Sequence, residues 1–118
     1  MMVIAQNIPP AEEVFYQGAR TYRGADVVRV DLNKSYPLRW RLDLRNHSPT
    51  GLEWGYGGRG PSQLALALLA DATSDDEFAQ RRYQDFKWDV VSRLPYEGWR
   101  LTLSEIREWV KIREGLHG

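Results

Sequence analysis

The sequence predicts an α+β domain: an N-terminal antiparallel sheet of three to five strands, with about three C-terminal helices packed on one face. Three observations carry this. The first half is rich in β-branched and aromatic segments and holds one run of strict polar–apolar alternation. The second half holds helix formers, one helix-start proline and two capping signatures. All of this sits in 118 residues, the size of one domain, and 42% of them are hydrophobic, enough to bury a core.

In chain order, residues 1–13 mix a short apolar start with Pro9-Pro10 and Glu12-Glu13, and are expected to be a loosely held arm or an added strand. The domain proper is expected over 14–114, with a tail over 115–118. Val14–Gln17 is β-branched and aromatic, and Gly18-Ala19 is expected to turn it back through Arg20–Arg23. A second turn at Gly24–Asp26 leads into Val27–Leu32, where Val28, Val30 and Leu32 share one face. Leu38–Arg45 has the cleanest period. Leu38, Trp40, Leu42 and Leu44 alternate with Arg39, Arg41, Asp43 and Arg45, which predicts a half-buried strand. Asn46–Gly51 reads as a loop and Leu52–Tyr56 as a short strand.

Pro61 then takes the favoured first position of a helix over Gln63–Ala70 that is apolar nearly all round and therefore central. Ser74-Asp75-Asp76-Glu77 has the spacing of a capping box, opening a helix to about Leu94, with Ala79, Tyr83, Phe86, Val90 and Leu94 on one stripe. Thr102-Leu103-Ser104-Glu105 opens the last helix in the same way, with Leu103, Ile106, Trp109 and Val110 inward.

Composition narrows the chemistry. Cysteine is absent, so disulfides, thiolate catalysis and Cys-ligated metals are excluded. No run approaches the roughly 18 apolar residues of a membrane helix, and the start lacks a basic leader, so a cytoplasmic protein without membrane contact is expected. Net charge is zero, which argues against nucleic acid as a partner. The charge is uneven: residues 20–45 carry seven basic side chains against three acidic, and residues 71–89 six acidic against three basic.

The densest feature is the turn Gly55-Tyr56-Gly57-Gly58-Arg59-Gly60 between strand and helix. So many glycines imply a backbone need, either a tight packed turn or close approach to a ligand. A glycine turn feeding a helix start is a ready anion site, so Gly57, Gly58, Arg59, Gly60, Ser62 and Gln63 are candidate ligand contacts. Gly55, Gly57 and Gly60 also fit G-x-G-x-x-G, but no acidic residue closes a second strand about 20 residues on, and no Lys-Ser/Thr follows as in a phosphate loop.

Ser48-Pro49-Thr50-Gly51-Leu52-Glu53-Trp54-Gly55-Tyr56-Gly57-Gly58, followed by Gly60-Pro61-Ser62-Gln63-Leu64-Ala65-Leu66-Ala67-Leu68-Leu69, resembles the signature of an uncharacterised family of small bacterial and phage proteins, a domain of unknown function. The similarity extends from Tyr16 through Lys87–Val90 to Trp109. It implies that the turn is the family's hallmark and suggests a connection with mobile elements; it implies no activity. Arg59 stands where the family is associated with a small residue.

Outside the turn, His47 is the one internal histidine, too few for a multi-His metal site, and no nucleophile elbow accompanies it. A local hydrogen bond is its expected role, with acid–base work beside Glu53 as the alternative. Arg39, Arg41 and Arg45 are candidate accessory contacts to an anion or an acidic partner, against ion pairing with Asp31 and Asp43. Trp88 falls off the apolar stripe of its helix, which marks it as a protein-partner or dimer contact, with packing against the N-terminal arm as the alternative. No cofactor and no metal are expected. The sequence thus favours a non-enzymatic module for an anionic small molecule, a nucleotide among them. The alternative is a protein-interaction domain, including self-association, built on a structural glycine turn.

Overall fold

The computed structural model describes residues 13–117. Strands β1 (Phe15–Thr21), β2 (Gly24–Asp31) and β3 (Lys34–Pro37) come first, then helices α1 (Arg59–Thr73) and α2 (Asp76–Asp89) and a short 3-10 turn, Val91–Arg93. Strand β4 (Gly98–Thr102) and helix α3 (Leu103–His117) close the chain. The fold is α+β, with a four-stranded antiparallel sheet in the order β3-β2-β1-β4. Residues 1–12 of the expected arm and Gly118 lie outside the described residues; the expected tail is otherwise the last turn of α3.

Strand β1 does not turn at Gly18. It runs to Thr21, and Gly18 pairs with Val27 on one side and Trp99 on the other. A Cβ on Gly18 would lie inside the Trp99 ring, so the glycine clears room for an indole. The turn falls at Tyr22-Arg23 instead. Strand β3 was not foreseen; Leu32 and Asn33, at φ 51 and 70, form the tight turn that produces it. Two successive positive φ values are the signature of the turn whose twist matches a right-twisted hairpin.

The alternation over Leu38–Arg45 does not become a strand. Pro37 ends β3 at the sheet edge, Leu38 N–H donates to Val27 O at 3.0 Å, and the chain then bends at Arg41 (φ 61). Leu38 is buried and Leu44 packs on the core, while Trp40 and Leu42 stay over one-third exposed. Leu52–Tyr56 likewise buries Leu52 and Trp54 without joining a ladder. Extended backbone gives the same in–out pattern whether or not a strand lies beside it.

Helix α1 is the axis of the core. Every residue from Gly60 to Ala70 is buried, and around it gather Tyr16, Val27, Trp54, Phe86, Trp99 and Ile106. Trp54 meets Trp99 edge-on at 5.6 Å, and Phe86 meets Trp109 at 5.0 Å. The cap of α2 is Asp75, whose carboxylate accepts from Phe78 N–H at 2.9 Å; Ser74 instead closes α1 in the left-handed conformation. Helix α2 stops at Asp89 rather than Leu94: Val90 leaves helical geometry at φ −125, and the Val91 carbonyl accepts from Gly55 N–H at 3.0 Å. The box at Thr102 forms as expected: Glu105 N–H donates to Thr102 Oγ1 at 3.0 Å and Thr102 N–H to Glu105 Oε1 at 2.8 Å. No helix among the described residues is long and apolar enough to cross a membrane.

Candidate functional site

The glycine turn is organised from both sides. Beneath it, Trp54 Nε1 donates to Tyr96 O at 2.9 Å, and the Arg20 guanidinium stacks on Tyr96 at 3.7 Å while bonding Glu53 at 2.9 Å. Gly60 packs against Glu53, where a Cβ would come within 2.6 Å of the Glu53 Cβ. Above it, the Trp88 ring fills the space a side chain at Gly57 would take. Gly58 precedes the first residue of α1 and lies against the Tyr56 ring.

Of the expected ligand contacts, Ser62 and Gln63 are turned inward. Pro61 has no N–H, and Ser62 N–H donates to Gly58 O at 3.0 Å. Ser62 and Gln63 are buried. The Gln63 amide instead ties two loops to α1, donating to Trp40 O at 2.6 Å and accepting from His47 N–H at 2.8 Å. A buried amide with both ends satisfied is a structural fastener. Arg59 remains exposed at the surface. The outer side of the turn borders a hollow of about 340 Å³ lined by Arg23, Ser48, Glu53, Tyr56 and Gly60.

His47, held by the Gln63 clasp, hydrogen-bonds Tyr83 OH through Nε2 at 2.7 Å. It does not meet Glu53, which pairs with Arg20. Burial lowers the imidazole below its ordinary value, and the charges of Arg45, Lys87 and Arg59 lower it further. All its charged influences are thus cationic. None of the three cations forms an ion pair among the described residues. Lys87 Nζ lies 4.3 Å from the centre of the Trp88 ring, and Trp88 is 56% exposed. The structure therefore brings Arg45, His47, Arg59, Trp88 and Gly57 onto one surface. Lys87 was missed, although its i+4 spacing from Tyr83 places both on one side of α2.

The expected row Arg39, Arg41, Arg45 is divided by the bend at Arg41. Arg39 and Arg41 join Arg29 on one wall of a cleft of about 670 Å³, opposite Asp71, Asp75 and Asp76. Here most charge is matched. Arg41 reaches Asp76 at 2.8 and 3.0 Å and Asp43 at 3.1 Å, which raises the guanidinium and lowers both carboxyls. Arg29 and the buried Tyr16 hydroxyl both bond Asp71 Oδ2 at 2.5 Å, and Arg29 also faces Asp31 at 3.4 Å. Burial and the Asp71 bond push the Tyr16 hydroxyl far above its ordinary value. Among the described residues, no group of His, Asp and Glu is arranged to hold a metal ion.

The sequence profile of a family of unknown function, DUF6166, matches residues 16–112. The chain belongs to this family. The DUF6166 match begins at the buried Tyr16 of β1, ends within α3, and includes the glycine turn, His47, Lys87 and Trp88. Comparison of this DUF6166 chain with curated proteins and with solved structures returns no match.

Proposed function

We propose that this domain is a non-enzymatic binding module that takes an anionic small ligand of the nucleotide class on the surface around His47. The exposed Arg45 and Arg59 would meet the phosphate and the exposed face of Trp88 the base, with the buried Lys87 adding positive potential from within. The supporting observation is the exposed pair Arg45 and Arg59, without an ion-pair partner among the described residues, beside a solvent-facing indole. An anion arriving there displaces no internal ion pair. At the cleft it would have to compete with Asp71 and Asp76 for Arg29 and Arg41. Guanidiniums suit phosphate oxygens through forked hydrogen bonds, and stacking a base on an aromatic ring is worth about 1–3 kcal/mol.

Thermal unfolding with AMP, ADP, ribose 5-phosphate and inorganic phosphate tests this. A ligand at 100 times its Kd stabilises the fold by about 2.7 kcal/mol. Arg59→Ala should weaken every member of the panel, and Trp88→Ala should weaken the nucleotides selectively. A melting temperature that none of these anions moves overturns the proposal.

A second reading, protein interaction, has its own support. Tyr56, Trp88 and Tyr96 are 49%, 56% and 61% exposed around one turn, and Tyr and Trp dominate interface hot spots. It requires mass to rise with concentration, or a co-purifying protein, and either to be lost in Trp88→Ala.

A further inference from the structure

The cleft between Arg29, Arg39 and Arg41 and the α1–α2 junction plays no part in the surface around His47, and at about 670 Å³ it lies within the range of small-ligand sites. Its walls carry opposite charge, guanidiniums on one and carboxylates on the other, three of each. Two clasps cross it, Arg29 to Asp71 and Arg41 to Asp76. These leave particular atoms open. Arg39 is exposed and has no ion pair among the described residues. On the opposite wall Asp71 uses Oδ2 for both Tyr16 and Arg29, and Asp75 uses Oδ1 to cap α2. The second oxygen of each carries no hydrogen bond among the described residues.

We propose that this cleft binds a small zwitterion of the amino-acid or dipeptide class, with its carboxylate on Arg39 and its ammonium on the open oxygens of Asp71 and Asp75. Of the charged lining residues, only Arg39 and Asp75 are in no ion pair among the described residues, and they carry opposite signs, so a ligand carrying both signs meets both. Ala67 and Ala70 supply the room at the base of the cleft. The Asp71 carboxylate is held in place from below by the buried Tyr16 hydroxyl, so that wall is set before a ligand arrives.

Calorimetric titration of the intact chain with L-alanyl-L-alanine, its N-acetyl form and its C-terminal amide tests this. The free dipeptide should bind, and each blocked form should bind at least about tenfold more weakly, the loss expected for one charge-assisted hydrogen bond. Arg39→Ala should weaken the free dipeptide without further weakening the amide. Asp75→Asn, which keeps a capping side chain, should weaken the free dipeptide without further weakening the acetylated form. Equal binding of all three peptides, binding by none of them, or indifference to both substitutions overturns the proposal.

Discussion

The ring of Trp88 occupies the space that a side chain at Gly57 would need. Gly18 bears the same relation to Trp99, but Trp99 is 8% exposed and Trp88 56%. The two glycines should therefore respond differently. Gly57→Ala lets a surface indole swing out and should cost under about 1 kcal/mol, with a red shift of tryptophan emission. Gly18→Ala must displace a buried ring and should cost about 1–3 kcal/mol in chemical denaturation.

The half-buried His47 and the buried Tyr16 should make stability depend on pH in opposite directions. His47 is lowered from 6.5, so the unfolded chain takes up a proton first, and stability should fall as pH drops below 6.5. Tyr16 is raised from 10.0, so the folded state keeps its proton longer, and stability should fall as pH climbs above 10.0. Denaturation midpoints across pH should show both slopes. Tyr16→Phe should remove Tyr16's share of the alkaline one and cost about 0.5–1.5 kcal/mol at neutral pH.

The β2–β3 turn places Leu32 at φ 51, a conformation that a branched, unpaired side chain resists. Leu32→Asn with Asn33→Gly supplies the residue pair this turn prefers. The double variant should be more stable by about 1 kcal/mol in urea unfolding, with no effect on either proposed site.

The α1–α2 junction distinguishes two caps. Asp75→Ala removes the bond to Phe78 N–H and should cost about 1 kcal/mol. Ser74→Gly should be neutral or stabilising, because Ser74 sits at φ 56 and its side chain caps nothing. Were Ser74 the cap, the two costs would be reversed; thermal unfolding of both variants decides.

The sequence by itself determined the α+β class, the burial of the apolar run from Leu64 to Ala70, the capping box at Thr102 and the surface position of Trp88. Each of these follows from interactions a few residues apart: helical period, cap chemistry, and the face on which one side chain falls. It also marked Arg45, His47 and Arg59, but as scattered residues.

Tertiary structure alone decided that Leu38–Arg45 would bend and not pair. An extended chain alternates with or without a neighbour, and the ion pair from Arg41 to Asp76 spans 35 residues. It turned the glycine run into a seat for Trp88 and Glu53, and it set the positive charges of Arg45, Arg59 and Lys87 near enough to lower one imidazole. Such groupings arise from how α1 and α2 pack beneath two loops. They are energies of long-range contact, which local periodicity does not encode.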